Sequence, residues 1–322
     1  MKSEKSKKII IGIDTSCYTT SIAAISLENN VIFNKKIMLE VGDKAKGLRQ
    51  SEMVFQHVNN LGKLSESLND LMKEYDVVGV CASKKPRPVT DSYMPAFTVG
   101  YNFAKLLSSM NSINLYTTTH QENHIYASLI NNKLKSQKKF ISVHMSGGTT
   151  EILLVKNIVN GLEIEIIGGS RDISFGQLID RLGVKLGYKF PCGKYIDKNA
   201  IECNEKIEVG IKTSVKNGYM NLSGIENQLD KLINTCSDKF ISKLLMDAIV
   251  RNLGKTLIYL CEENNIYEVV FVGGVSSSEY IKNNLVKKLR KDKINCYFTK
   301  SEYSTDNAVG CAKIGLDKFI GE

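Results

Sequence analysis

The sequence predicts an α/β protein built from two related lobes. Two observations carry this expectation. Apolar stretches of strand and helix period alternate along both halves of the chain, and one hairpin motif occurs twice, near the start of each half. Residues 9–25, "IIIGIDTSCYTTSIAAI", read as strand, polar turn and strand, and residues 140–155, "FISVHMSGGTTEILLV", read the same way. At an offset of 130 residues Ser16 meets Ser146, Thr19-Thr20 meets Thr149-Thr150, and Ile22 meets Ile152. Such Ser/Thr/Gly turns expose backbone N–H groups that can cradle phosphate oxygens, although the same residues also build ordinary hairpin turns.

The elements follow in order. Residues 49–75 carry apolar residues at three- and four-residue spacing and read as helix. "DVVGVCAS" at 76–83 reads as a short buried strand, and 96–110 as a helix. After the second hairpin come a helical stretch near 175–187 and an all-helical segment at about 196–264, then strand, glycine turn and helix over 267–289. The division expected is an N-terminal lobe at 1–115 and a C-terminal lobe at 116–322 that contains the helical insert.

A chain of 322 residues suits two lobes, and 43% hydrophobic with 24% charged residues is ordinary globular composition. No apolar run approaches the ~18–20 residues of a bilayer span, so a membrane location is not expected. The basic start, "MKSEKSKKIIIGI", runs into a strand pattern without a small-residue cleavage site and does not read as a signal peptide. Eight cysteines without any C-x-x-C pair fit reduced thiols and a cytoplasmic location. The net charge of +9 suits an acidic partner such as RNA or a nucleotide, or simply a solvated lysine surface.

Three motifs carry chemistry. "TTTHQENHIYASL" at 117–129 sets His120 and His124 one helical turn apart, behind a candidate N-cap at Thr118 or Thr119. A metal pair, a catalytic pair and a plain helix surface all fit that spacing taken alone. A zinc peptidase places Glu directly after the first His; here Gln121 stands there and Glu122 follows. "VVFVGGVSSSEYI" puts Gly273 and Gly274 between a strand and a helix, where backbone can approach a ligand. Around the turn at Pro191-Cys192-Gly193, Asp172, Asp180 and Asp197 are either ribose-binding carboxylates or solvated surface.

Taken together, the paired hairpins, the late G-G-V turn, H-x-x-x-H and the closing "STDNAVGCAKIG" resemble the tRNA threonylcarbamoyladenosine synthase family, from about residue 9 to 317. The resemblance implies an actin/Hsp70/sugar-kinase-like fold. It implies one divalent metal, Fe or Zn, on His120, His124 and Asp306. Where the archaeal and eukaryotic branch has a metal-reaching tyrosine, two positions before the S-G-G serine, this chain has His144, the expected fourth ligand. It implies a phosphate turn at Ser146, Gly147 and Gly148, and a nucleotide side at Asp180, Gly193 and Asp197 with Gly273, Gly274 and Ser278. The activity implied is transfer of threonylcarbamoyl from threonylcarbamoyl-AMP to N6 of the tRNA adenosine beside the anticodon, with adenylate-forming and regulatory partner proteins.

The chain departs from the family pattern at several points. "TSCYTT" has Tyr18 and Thr19 where both family acids stand, and "DISFGQ" has Ile173 and Gln177 for two more. The glycine-proline-glycine loop is replaced by "SKKPRPVTDSYMPAF", with Lys84, Lys85 and Arg87, and Ser278 replaces an Asn. Losing acids and gaining cations leaves two alternatives open. One is a metal- and nucleotide-binding paralogue that works as a regulatory subunit without transferase activity. The other is a carbamoyl or phosphoryl transferase for a small anionic acceptor.

Overall fold

A computed structural model describes residues 7–16, 18–41, 48–130, 134, 137–158 and 161–322. Cys17 of the first hairpin and the first six residues of the basic start lie outside the described residues. The chain forms two compact units. The first comprises Met1–Lys135, Ile158–Leu162 and Thr305–Glu322, and the second Ser136–Asn157 and Glu163–Ser304. The division drawn from the sequence at 115/116 thus differs in two ways. The H-x-x-x-H helix belongs to the first unit, and the C-terminal helix returns to it, because both pack on its sheet and on each other.

In the first unit β1 (Lys7–Thr15), β2 (Thr19–Ser26), β3 (Val31–Met38), β4 (Tyr75–Lys85) and β5 (Asn114–Thr119) form one sheet in the order β3-β2-β1-β4-β5. β1 and β2 pair antiparallel as the hairpin reading expects, while β4 runs parallel to β1 and β5 parallel to β4. Successive strand residues point to opposite faces. Ile11, Ile13, Val80 and Ala82 therefore join one core with α1 (Gln50–Glu66) and α3 (Pro95–Asn111). Cys81 joins another, with residues of α4 (His120–Leu129) and α11 (Val309–Gly321). Burial on both faces is why β1 reads as a nearly unbroken apolar run. The helix expected over 49–75 is interrupted: a turn at 67–70, in "SLND", separates α1 from the short α2 (Leu71–Glu74).

The second unit repeats the plan. β6 (Lys139–Met145) and β7 (Thr150–Ile158) are the second hairpin, followed by β8 (Gly161–Ser170). With β11 (Glu268–Val272) and β12 (Asn295–Phe298) they give the run β8-β7-β6-β11-β12, matching β3-β2-β1-β4-β5 strand for strand. Its core is covered by α5 (Phe175–Lys185), α6 (Gly193–Glu202), α7 (Ser223–Asp230), α8 (Asp238–Asn264) and α9 (Glu279–Leu289). The segment 196–264 is not all helix. β9 (Ser214–Lys216) and β10 (Tyr219–Asn221) extend the sheet beyond β8 as a hairpin. Its two-residue loop, Asn217-Gly218, takes φ of 49° and 78°, the left-handed pair that Asn-Gly supplies most readily. A helix-period reading of the flanking residues passed over that turn. α10 (Ser301–Ser304) is a single turn.

α11 lies close against β1 and α4, and this closeness depends on two glycines. A Cβ on Gly12 would collide with the Ala308 carbonyl, and one on Gly310 with the Asn123 carbonyl of α4. Asn123 fastens the same contact, its amide donating to the Asn307 carbonyl at 2.5 Å and accepting from Cys311 N at 2.8 Å. Gly310→Ala is expected to destabilise the protein by about 1–3 kcal/mol through overpacking, read as a lower urea midpoint at unchanged slope.

Candidate metal centre

α4 begins on a strong local signal. Thr119, the last residue of β5, is the N-cap; its hydroxyl accepts from Glu122 N at 3.2 Å, and the Glu122 carboxylate accepts from Thr119 N at 2.9 Å. Both halves of a capping box are present, worth about 1 kcal/mol. The same carboxylate also takes the hydroxyls of Thr118 and Thr119. Glu122 is thus committed to starting the helix, which removes it as a peptidase base.

The cap places His120 at the first helical residue and His124 one turn later. Their Nε2 atoms are 3.1 Å apart, and Asp306 Oδ1 lies 3.3 Å from His124 Nε2 and 3.6 Å from His120 Nε2. These three residues form a cluster able to hold a metal ion, with one ligand atom from each within 4.8 Å of the others. Two nitrogens bound tetrahedrally to one ion at about 2.0–2.1 Å are roughly 3.3 Å apart, so the spacing fits a shared Zn²⁺ or similar cation. Two imidazoles with one carboxylate also fit Fe²⁺.

Sequence reading missed the groups that hold this set in place. Asp14, at the end of β1 and wholly buried, sets Oδ1 3.1 Å from His120 Nδ1 and accepts from Ser83 Oγ at 2.5 Å. A carboxylate on the far nitrogen fixes the ring and its tautomer and leaves Nε2 for the ion. Asp14 Oδ2 is buried without a hydrogen-bond partner among the described residues. The signal was present as the inward-facing acid of "GIDTS", inside a buried strand. On the Asp306 side, Ser16 Oγ donates to Oδ2 at 2.9 Å, and Lys36 Nζ donates to the Asp306 carbonyl at 3.2 Å and to Thr305 Oγ1 at 2.5 Å.

Burial works to lower the His120 pKa, but the charge and hydrogen bond of Asp14, with Asp306 behind them, outweigh it and lift the value to about 9. Burial likewise works to raise Asp306. The hydrogen bond from His124, the charge on both imidazoles and the Ser16 hydroxyl overcome it and hold the carboxyl well below the usual range.

In the second unit Ser146, Gly147 and Gly148 form the β6–β7 turn. Ser146 N donates to the Thr149 carbonyl at 3.0 Å, as Ser16 N donates to the Thr19 carbonyl at 3.1 Å in the first hairpin. Space around Gly147 and Gly148 is open, whereas a Cβ on Gly176 of α5 would strike the turn itself. Gly273 takes a φ of 93° and leads into a 3-10 turn that starts at Gly274. His144 is buried near the end of β6, in register with Val272, the residue before Gly273.

The three aspartates read from the 168–197 stretch differ. Asp172 accepts from the backbone N–H groups of Ile173, Leu222 and Ser223 at 2.8–2.9 Å; although burial opposes them, these bonds hold its carboxyl well below the usual range. It is a clamp between β8 and β10. Asp180 accepts from Cys192 N at 2.7 Å beside Gly193, the first residue of α6, and burial raises its pKa. Asp197 accepts from Ser278 Oγ at 2.5 Å, Glu279 N at 3.0 Å and Tyr280 N at 3.2 Å, while Ser278 itself caps α9. Asp197 and Ser278 thus form one helix-start network.

The basic loop folds onto itself. Lys85 Nζ donates to the Val89 carbonyl at 2.8 Å, and Lys84 sits 5.0 Å from the Tyr101 ring centroid. The Pro86 carbonyl accepts from Gln121 N at 3.0 Å, which braces the start of α4. The seven described cysteines are free thiols, and no described helix is long and apolar enough to cross a membrane.

Two outcomes follow from this geometry. Asp14→Asn is expected to weaken zinc binding about 10- to 100-fold, measured by competition with a coloured chelator. In the metal-free protein the raised His120 pKa stabilises the fold fully below 6.5, the unperturbed value, and this contribution is lost as pH rises towards 9. In EDTA, Tm should fall over that window, and His120→Asn should remove that part of the slope.

A profile of the tRNA N6-adenosine threonylcarbamoyltransferase family matches residues 56–313. The chain is similar to the tRNA N6-adenosine threonylcarbamoyltransferase of Caldicellulosiruptor saccharolyticus, at 26% identity over 97% of this chain and 93% of that protein. Among solved structures it superposes on a ROK family glucokinase from Streptomyces griseus with a TM-score of 0.51 and 13% identity, covering 95% of this chain and 99% of that one. It also superposes on T. kodakarensis HypF with a TM-score of 0.64 and 12% identity, covering 98% of this chain and about half, 48%, of HypF. These likenesses show a sugar-kinase-like α/β fold, as expected from the sequence. With a profile match over most of its length, the chain belongs to the tRNA N6-adenosine threonylcarbamoyltransferase family.

Proposed function

We propose that this chain transfers a threonylcarbamoyl group from threonylcarbamoyl-AMP to N6 of the tRNA adenosine next to the anticodon. Family membership supports the reaction class. The observation that carries the site is the convergence of His120, His124 and Asp306, with His120 oriented by buried Asp14. The reaction makes a bond from N6 to the carbamoyl carbon, breaks that carbon's bond to the adenylate oxygen, and releases AMP and a proton.

His120, His124 and Asp306 hold the divalent ion, Fe or Zn, and His144 is assigned as its fourth ligand. When bound, the ion supplies Lewis-acid polarisation of an oxygen. In the Ser146-Gly147-Gly148 turn the Gly147 N–H is the donor for a phosphate oxygen, since Ser146 N is taken by the Thr149 carbonyl and Gly148 N by the Ser146 hydroxyl. Asp180, Gly193, Gly273 and Gly274 shape the nucleotide side. Asp197 and Ser278 contribute by fixing the start of α9, since the Asp197 carboxylate is taken up there. Adenylate-forming and regulatory proteins complete the system in the cytoplasm. The small-anion alternative gains no support from the basic loop, whose Lys84 and Lys85 contact the loop's own carbonyl and a nearby ring.

The reading is tested by reconstitution with the adenylate-forming partner, ATP, threonine, bicarbonate and unmodified tRNA, scored by mass spectrometry of the nucleosides. Product is expected from the wild type and not from His120→Ala or Asp306→Ala. No product from wild-type protein that binds zinc, beside an active family member, would reject transfer and favour the regulatory paralogue. Unchanged zinc affinity in His144→Ala would remove it from the ligand set.

A further inference from the structure

The turn between α5 and α6 carries a surface that the proposed reaction leaves unused. The rings of Tyr188 and Tyr195 stack, with centroids 5.4 Å apart and planes inclined by 10°. Tyr188 is anchored: its hydroxyl donates to Asp238 Oδ2 at 3.1 Å and accepts from Asn199 Nδ2 at 2.8 Å. Tyr195 is nevertheless 47% exposed, and Phe190 on the same turn is 69% exposed. Exposed rings gathered on one turn, one of them stacked on an anchored tyrosine, offer an apolar surface that a ligand can cover.

The charges around it indicate the occupant. Lys189, Lys194 and Lys198 are all exposed. Among the described residues Lys189 and Lys194 make no ion pair, and Lys198 reaches Glu202 only at 3.7 Å. Lys194 and Lys198 are four residues apart on α6, a like-charge spacing that costs helix stability unless an anion lies across it. The neighbouring acids are engaged: Asp238 by Tyr188, Glu202 by Lys239 at 2.8 Å, and Asp197 at the start of α9. A protein partner's apolar core disfavours lysine. Rigid rings flanked by unneutralised lysines suit single-stranded nucleic acid, where bases stack and phosphates pair.

We propose that this patch binds an unpaired stretch of the RNA substrate, with a base stacked on Tyr195 and flanking phosphates on Lys189 and Lys194. The base must be unpaired, because a duplex hides its faces. The inference rests on RNA being the substrate, and it assigns a binding surface that serves the reaction without touching the reacting atoms.

The test is direct binding of the full-length protein to end-labelled unmodified tRNA, and to an unstructured oligoribonucleotide, by fluorescence anisotropy over a salt series. Tyr195→Ala is expected to weaken both by about 5- to 100-fold, the range for loss of one stacked base, while Tyr195→Phe keeps the affinity. Lys189→Ala with Lys194→Ala should reduce the slope of log affinity against log salt by about 1.4. Wild-type RNA affinity in Tyr195→Ala overturns the proposal, as does loss of a co-purifying protein with RNA affinity retained. Tyr195-dependent binding without any transfer activity upholds the patch and rejects the transferase reading. Transfer activity with RNA affinity unaffected by the substitutions does the reverse.

Discussion

The first unit depends on one buried contact, that between the Asp14 carboxylate and the His120 imidazole. A carboxylate wholly removed from water is costly unless a charge and hydrogen bonds meet it. Ser83 and His120 meet one oxygen, and the raised His120 pKa lets its ring carry the opposing charge. His120 therefore lies between two acids, Asp14 on Nδ1 and Asp306 on the Nε2 side. Much of the surrounding construction serves this arrangement: the capping box that aims the ring, the Pro86 brace, and the glycines that admit α11.

The duplication shows how one backbone device can be put to two uses. Both hairpin turns close with the same Ser-to-Thr backbone bond, at residues 16–19 and 146–149. In the first, the serine hydroxyl goes to Asp306 and steadies a candidate metal ligand. In the second, it accepts from Gly148 N and Thr149 N and stays inside the turn. The glycines beside it keep the space above the second turn open. The turns match in geometry and differ in their neighbours: a carboxylate meets the first, and open space lies over the glycines of the second.

Much of the site could be read from residue order. The one-turn spacing of His120 and His124, the threonine cap and the paired hairpins are local patterns, and local patterns survive in a linear sequence. Other parts could not be read this way. Asp172 and Asp197 look like free carboxylates until the backbone N–H groups they accept from, at Leu222, Ser223, Glu279 and Tyr280, fold against them. Lys84 and Lys85 look like an anion trap until Tyr101 and the Val89 carbonyl are beside them. The Asn217-Gly218 hairpin was legible, but the helical period on either side outweighed two residues.

The sequence by itself determined the α/β class, the duplicated sheet plan and the pairing of two histidines, because hydrophobic period and capping act over a few residues. Only the tertiary structure decided that Asp306 stands 3.3 Å from His124 and that Asp14 lies on the far nitrogen of His120. Those contacts join residues more than a hundred positions apart. What sets them is the close passage of α11 across β1 and α4, which rests on volume and backbone approach, and one-dimensional periodicity does not record either.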